Sequence, residues 1–294
     1  MRHVYPSGRA HRPPTAVTAF LSLLDLLELE RLDRNLYRAP NPPGSNRPAL
    51  YGGQVAAQAL RAALLTVPED RHVHSLHGYF LRRGRVDLPV ILKVDEDRDG
   101  GAFSARRVVA IQDGEVIFNL SASFHVDEPG GEVQDPMPAD VPGPEDAPTW
   151  AETRRDVDGP ARYVDLRPVV LGAASGPGGH RPAGQLWARC PVPLPDDRAI
   201  HACVLAYVSD IGTGFAKLDM PGLPPGGPSL DHAVWFHKPI RMDGWVLLDM
   251  HPLAASGGRG LYIGALYDRD GVRGASLTQE CLLRPPRPAR AAPP

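Results

Sequence analysis

The stretch from Tyr51 to Val67, YGGQVAAQALRAALLTV, decides the fold of this chain. Alanine and leucine dominate it, and Arg61 is its single charge. A helix this apolar must be buried on almost every side, so the pattern predicts a buried helix from Gly53 to Val67. Pro68 follows, and proline is typical of the end of a helix.

Long antiparallel strands are predicted directly after this helix. Asp113-Gly114 is typical of a tight hairpin turn and separates two of them. The predicted strands are His74–Leu81, Pro89–Val94, Phe103–Gln112 and Val116–Val126. A buried helix followed by such strands predicts an α+β unit in which an antiparallel sheet curls around the helix.

The second half of the chain repeats this pattern. Phe80 and Phe236 lie 156 positions apart, and the hairpin signal recurs at Asp270-Gly271. The predicted elements are a strand at Leu186–Cys190, a helix at 198–211, and strands at Ala233–Lys238, Trp245–Met250, Leu261–Tyr267 and Gly274–Leu283. A repeat that keeps its register over this distance indicates duplication of one helix-plus-sheet unit.

The stretch between the two units changes character. Residues 129–148 contain six prolines and five acids, which is typical of a disordered linker. The predicted organisation is a flexible extension at 1–17, a first unit at 18–128 that opens with a short helix at 18–32, a linker at 129–160, a second unit at 161–286 and a flexible tail at 287–294.

Composition excludes several classes of protein. The 294 residues carry 32 Lys and Arg against 34 Asp and Glu, so neither a basic nucleic-acid binder nor a disordered chain fits. No apolar run approaches the roughly 20 residues that a membrane-spanning helix needs. Cys190, Cys203 and Cys281 are widely spaced, which predicts buried, reduced thiols. Together these features predict a cytoplasmic protein with no nucleic-acid or membrane partner.

Motifs for phosphate loops, dinucleotide binding and nucleophile elbows are absent from the sequence. His72, His74 and His77 are spaced like metal ligands, but strand alternation would turn His77 to the opposite face, and no carboxylate accompanies them. We therefore predict no metal site. The same alternation separates Asp231 from His232 and disfavours a catalytic dyad there.

Three polar residues distinguish the second unit from the first. Asp210 lies near the end of an otherwise apolar helix, whereas the first helix has no acid at all. By the repeat, Gln279 corresponds to Ala122 and Ser229 corresponds to Val73. A buried carboxylate is costly unless it is paired or functional, which makes these positions candidates for chemistry.

A purely structural interpretation of the same residues stays open at this point. Asp210 could cap backbone amides of the turn that follows its helix. Gln279 could be a buried amide with satisfied hydrogen bonds, and Ser229 an ordinary loop residue.

Six stretches of the sequence resemble the acyl-CoA thioesterase II family, whose members are double-hotdog thioesterases. They are LYGGQVAAQAL at 50–60, HSLHGYFLR at 74–82, FSARRV at 103–108, YVSD at 207–210, LDHAVWFH at 230–237 and QE at 279–280. The resemblance covers about 20–128 and 185–284.

The resemblance implies a fold of two hotdog domains, each an antiparallel sheet around a long central helix. It also implies that Asp210, Ser229 and Gln279 are the catalytic set, which hydrolyses acyl-CoA without a metal or other cofactor. A thioester carbonyl is electrophilic enough for direct attack by water. Asp210 would be the general base, and Ser229 and Gln279 would position the water and the carboxylate.

Substrate contacts are expected elsewhere in the first unit. Gly52 and Gly53 would allow the backbone to approach the thioester closely, with amides as oxyanion donors. Arginines would bind the anionic 3′,5′-ADP end of coenzyme A, and the candidates are Arg82, Arg83, Arg106 and Arg107. We further expect a homo-oligomer, a dimer or a tetramer. Two alternatives stay open, an enoyl-thioester hydratase or dehydratase and a catalytically silent acyl-thioester binding protein.

Overall fold

The computed structural model describes residues 22–41, 47–153, 160–169, 184–212 and 227–284, so the predicted extension at 1–17 and tail at 287–294 lie outside it. Helices are α1 (Leu23–Leu27), α2 (Gly52–Leu64), α3 (Trp150–Thr153) and α4 (Arg198–Ser209), with a short 3-10 turn at Pro160–Arg162. Strands are β1 (Glu30–Asp33), β2 (Leu36–Ala39), β3 (His72–Phe80), β4 (Val90–Asp99), β5 (Phe103–Gln112), β6 (Glu115–His125), β7 (Asp165–Pro168), β8 (Gln185–Arg189), β9 (Asp231–Phe236), β10 (Val246–Ser256), β11 (Arg259–Asp268) and β12 (Arg273–Leu282).

All of these strands form one antiparallel sheet in the order β1-β2-β4-β5-β6-β3-β9-β12-β11-β10-β8-β7. The two halves have the same order when each is followed outward from the central pair, β3 and β9. In that pair His77 lies opposite Ala233, which is 156 positions further along the chain. An approximate two-fold axis therefore passes between these residues, and the repeat inferred from the sequence is confirmed.

The two long helices lie on the inner side of the sheet and pack against each other in opposite directions. The start of α2 meets the end of α4, where Gly53 lies against the carbonyl oxygen of Tyr207. Helix α2 also contacts β3, β4, β5 and β6, and ten of its residues are buried. The prediction of a buried helix is confirmed. Helix α2 ends at Leu64, before the predicted end at Val67, and the Thr66 hydroxyl donates to the carbonyl of Ala63 in its last turn.

The predicted helix at 18–32 is wrong in its second part. A capping box between Ser22 and Asp25 begins α1, which ends at Leu27. Glu30–Asp33 and Leu36–Ala39 then form an antiparallel pair at the edge of the sheet, joined through Asn35 in a left-handed conformation. Every residue of β1 is exposed, so this edge strand left no alternating apolar signal in the sequence.

The proline-rich stretch 129–148, here called the strap, is not a free linker. It has no helix or strand, but Gln134 donates to the carbonyl of Gly271 at 2.7 Å, and Pro142 accepts from the indole of Trp187 at 2.9 Å. Met137 and Val141 pack on an apolar cluster that includes Trp187 on the outer face of the second half. That face must be shielded from water, and the strap covers it.

The three cysteines are buried free thiols, as the sequence predicted. Burial raises the pKa of the Cys203 thiol to about 12, so it stays protonated. Among the residues that the structure describes, no helix combines the length and the apolar character needed to cross a membrane.

Candidate active site

Asp210 caps the C-terminal end of α4 and faces the N-terminus of α2. The backbone N–H of Gly53 donates to its carboxylate, and a Cβ atom on Gly52 would lie only 2.7 Å from Asp210 Oδ2. The same Cβ would lie 2.9 Å from the ring of Phe80. Glycine is therefore required for this approach, and the positive end of the α2 dipole stabilises the carboxylate. The site thus lies between the two halves of the chain.

The structure brings Ser229 and Gln279 to the same carboxylate. Gln279 lies on β12 and donates from Nε2 to Asp210 Oδ1 at 2.8 Å. Ser229 Oγ lies 3.4 Å from the same oxygen and accepts a hydrogen bond from the Gln279 amide. Three residues far apart in the sequence therefore form one hydrogen-bonded cluster, whose catalytic role stays a prediction.

His232 belongs to this cluster, and sequence reasoning missed it. Its ring is fully buried, with Nδ1 hydrogen-bonded to Gln279 Oε1 and Nε2 at 2.8 Å from Ser209 Oγ. Asp231 turns away and accepts the backbone N–H of Glu280 at 2.7 Å, so the two do not form a dyad. The available signal was periodicity, because His232 and Val234 alternate onto the same inward face of β9.

Burial sets the protonation behaviour of the site. It raises the pKa of Asp210, and the opposing effects of His232, Gln279, Gly53 and Ser229 only partly offset this. Burial also lowers the pKa of His232, which favours the neutral ring. The pKa of Tyr51 is raised well above its ordinary value by burial and by Asp210, so this phenol stays protonated and donates to the carbonyl of Tyr207 at 2.7 Å.

The equivalent positions in the first half of the chain lack the polar residues of this cluster. Leu65 caps the end of α2, where α4 has Asp210. Val73 and Ala122 occupy the positions that match Ser229 and Gln279, and both are buried. Leu65 and Val73 line a cavity of about 890 Å³ with the start of α4, but no carboxylate occupies the position equivalent to Asp210.

The strand alternation expected for His72, His74 and His77 is wrong. A β-bulge between Val73 and Ser75 breaks this alternation. The histidines instead have separate partners, since His74 bonds Ser123 Oγ at 2.8 Å and His77 packs edge-on against Trp235. Within the described part of the chain, no group of three or more His, Cys, Asp or Glu side chains could hold a metal ion.

Arg106 is wrong as a candidate for binding coenzyme A. Only 1% of this residue is exposed, and its guanidinium bonds both carboxylate oxygens of Asp99, at 2.9 and 3.0 Å. Its other bonds go to the hydroxyl and carbonyl of Thr66 and to the carbonyls of Arg98 and Ala105. All five N–H groups are engaged, so no donor is left for a substrate phosphate.

The other arginine candidates lie at the surface. Arg82 is half-exposed and pairs with Glu115 at 2.8 Å, and Arg107 pairs with Asp95 at 3.3 Å. Exposed ion pairs of this kind are weak and can exchange partners. Arg82 follows β3 in the chain, two residues after Phe80, and the Phe80 ring lies beside Gly52 of the site. Its role in substrate binding stays a prediction.

Replacing Arg106 with methionine should reduce stability without weakening substrate binding. The free energy of unfolding should fall by about 1–3 kcal/mol, because Asp99 and three part-buried carbonyls lose their donor. Denaturant unfolding checks this, and KM for acyl-CoA should not change. Arg107→Met removes the exposed neighbouring arginine and serves as the control, with an expected change within about 0.5 kcal/mol. A large rise in KM for Arg106→Met at unchanged stability would return this residue to the substrate site.

Comparison with known proteins identifies the family. Residues 41–125 match the model of the acyl-CoA thioesterase N-terminal domain, and residues 136–283 match that of the acyl-CoA thioesterase C-terminal domain. Human acyl-coenzyme A thioesterase 8 is 36% identical, with coverage of 92% of this chain and 91% of the relative.

Solved structures agree. Acyl-CoA thioesterase II TesB2 of Mycobacterium marinum is 37% identical with a TM-score of 0.76, covering 90% of this chain and 99% of that one. A conserved protein of unknown function with hot dog fold from Alicyclobacillus acidocaldarius, 21% identical, shares the fold with a TM-score of 0.71 over 90% of this chain and 98% of that one.

The fold is therefore an α+β hotdog fold with a large antiparallel sheet and few helices. The chain belongs to the acyl-CoA thioesterase family. The family and the enzyme class predicted from the sequence, a thioester hydrolase, are confirmed.

Proposed function

We propose that this chain hydrolyses acyl-CoA thioesters to a free acid and coenzyme A by direct attack of water. The observation that carries the proposal is the part-buried Asp210 carboxylate, held by the Gln279 amide and the Ser229 hydroxyl at the start of α2. A carboxyl group whose pKa is raised by burial is a stronger base than an exposed one and suits proton abstraction from water.

The two oxygens of Asp210 have different surroundings. Oδ1 accepts from Gln279 at 2.8 Å and lies 3.4 Å from Ser229, whereas Oδ2 faces the backbone of Gly52. We assign Oδ2 as the oxygen that takes the proton from the attacking water. The water oxygen then bonds to the thioester carbon, the carbon–sulfur bond breaks, and the departing thiolate takes up the proton that Asp210 had accepted.

Developing charge on the thioester oxygen requires donors in a water-poor site. The first turn of α2 is our candidate, because its backbone N–H groups have no partner within the helix and the residues there are Gly52 and Gly53. The N–H of Gly53 is bonded to Asp210, which places this turn directly beside the base and assigns the oxyanion to the neighbouring amides of the turn and not to Gly53. Arg82 is our candidate for the phosphates of coenzyme A.

Release of free thiol from a series of acyl-CoAs, recorded together with the absorbance of enoyl-CoA, tests the proposal. Thiol release with no change in an enoyl substrate supports hydrolysis. A change of enoyl absorbance without thiol release would indicate a hydratase, and substrate binding with neither signal would indicate a silent binding protein. The series of chain lengths also gives the acyl preference.

No acyl-enzyme should accumulate, because water rather than Ser229 is the nucleophile. Ser229 Oγ accepts a hydrogen bond from the Gln279 amide, and among the residues that the structure describes its one hydrogen-bonded base is the shared Asp210. Rapid quenching with acyl-labelled acyl-CoA should leave no label on the denatured protein. A stable adduct at Ser229 would overturn the water-attack mechanism.

The turnover number kcat should rise with pH through the pKa of Asp210. Only the deprotonated carboxylate accepts a proton, so activity is lost on the acid side. Because burial raises this pKa, the midpoint should lie above the ordinary 3.8 of an aspartate. A profile of kcat from acid to neutral pH checks this, and a flat profile would contradict the assignment of Asp210 as the base.

The finer architecture is proposed on the same basis. We assign a double hotdog, with units at 18–128 around α2 and at 161–286 around α4, and place the strap on the outer face of the second unit. The inward packing of the two helices and the two-fold order of the sheet support this. Association into a dimer or tetramer and a cytoplasmic location stay predictions from the sequence, and sedimentation analysis tests the first.

A further inference from the structure

We propose that His232 is a positioning residue, which holds the Gln279 amide in the one orientation that directs its NH2 group at Asp210 and Ser229. The inference rests on the proposed function. The residues form a chain of hydrogen bonds from the end of α4 across β9 to β12, in the order Ser209, His232, Gln279 and Asp210.

An amide side chain has two ends of similar shape and opposite polarity. Turned one way, Gln279 donates from Nε2 to the carboxylate, and turned the other way it presents Oε1 to Asp210, oxygen against oxygen. Asp210 and Ser229 lie at one end of this amide, and His232 lies at the other. The proton on His232 Nδ1 therefore selects the orientation.

Ser209 can accommodate a proton on His232 Nδ1. Its hydroxyl lies 2.8 Å from His232 Nε2 and 3.0 Å from the carbonyl of Ala206. In the neutral ring, a proton on Nε2 would leave a bare Nδ1 facing Gln279 Oε1, two acceptors in contact, so we place the proton on Nδ1 with Ser209 donating to Nε2. In the cationic ring, Ser209 donates to Ala206 and both nitrogens carry protons. Nδ1 donates to Gln279 Oε1 in both states, so the amide keeps its orientation.

The cluster is also closed to competing partners. His232, Ser209 and Gln279 are each 1% exposed or less, so water does not readily replace a lost hydrogen bond. Without the Nδ1 donor, the amide could turn its oxygen toward Asp210 and repel the charged form of the base. The expected consequence is a lower kcat, because the interaction acts on the reacting carboxylate and not on the rest of the substrate.

Two substitutions of His232 separate positioning from a general effect on the core. In His232→Asn the new amide lies near the former Nδ1 and can still donate to Gln279. In His232→Gln the amide reaches the former Nε2 and the donor to Gln279 is lost. We expect His232→Asn to retain kcat within about threefold and His232→Gln to lose about 10- to 100-fold, with KM little changed in both.

The same His232→Gln change in a Gln279→Ala background provides the decisive comparison. With no amide left to orient, the further loss in kcat should be no more than about twofold. Melting temperature and elution volume establish that each variant is folded. If His232→Gln does not fold, Ser209→Ala replaces it. We expect a smaller loss of kcat, which should also vanish in the Gln279→Ala background.

Full activity of His232→Gln or Ser209→Ala, or an equal loss with and without Gln279, would overturn the inference. A kcat for His232→Asn that is no higher than the kcat for His232→Gln would also overturn the inference. Measurements on the wild-type protein distinguish failure of this inference from failure of the proposed function. If the wild-type protein releases no thiol from any acyl-CoA, the function itself is wrong, whereas an active enzyme that is insensitive at His232 refutes only the positioning role.

Discussion

Replacement of Asp210 by asparagine should lower kcat for acyl-CoA hydrolysis by about 10²- to 10⁴-fold, the range associated with loss of a general base. Asparagine keeps the size of the side chain and can still accept from Gln279, but it cannot take a proton from water. Steady-state release of free thiol measures the effect. Asp210 lies against Gly52 and Gly53 and is hydrogen-bonded to Gln279, so asparagine in its place should keep the local geometry and lose only the base.

The first half of the chain offers matched controls. Val73→Thr and Ala122→Ser add a hydroxyl at the positions equivalent to Ser229 and Gln279, in the half where Leu65 stands in place of Asp210. These variants should change stability modestly and leave turnover near the wild-type value. If Asp210→Asn kept near-native turnover while one of these changes abolished it, the active site would belong to the other half.

Gly53→Ala should have the largest effect on the fold. A Cβ atom there would lie 2.4 Å from the carbonyl oxygen of Tyr207 and 2.6 Å from the ring of Tyr51. The carbonyl is backbone and cannot move aside, so α2 and α4 must separate, at a cost of about 1–3 kcal/mol or more. The melting temperature and the rate of thiol release should both fall, because the same shift moves the start of α2 away from Asp210.

Gly101→Ala is the matched control for that change. Nothing lies within 4 Å of a Cβ at this exposed turn, so alanine should be neutral or should stabilise by a few tenths to about 1 kcal/mol through the unfolded chain. Equal melting temperatures for the two variants would show that the contact between α2 and α4 is looser than the structure has it.

Patterns in the sequence predicted the elements that burial dictates. The apolar runs of α2 and α4 had to be buried, and the hairpins at Asp113-Gly114 and Asp270-Gly271 form, with glycines in the left-handed region at φ 75° and 80°. The comparison of the two halves also selected Asp210, Ser229 and Gln279, because polar residues in an apolar repeat stand out. The structure places these three in one cluster.

Residues whose role depends on a distant partner were assigned wrongly or missed. Arg106 has the charge expected of a phosphate ligand, but its partners, Asp99 and Thr66, make it structural. His232 is part of the cluster only because β9 pairs with β12, which brings Gln279 to its ring.

By itself, the sequence determined the two-fold repeat, the buried helices and the choice of Asp210 as the candidate base, because each follows from local periodicity or from a contrast between equivalent positions. Only the tertiary structure decided that the site is built from both halves, with Gly52 and Gly53 of the first half facing Asp210 of the second. Periodicity tells which face of an element is buried. It does not tell which element covers that face, and hydrogen-bond partners depend on that arrangement in space.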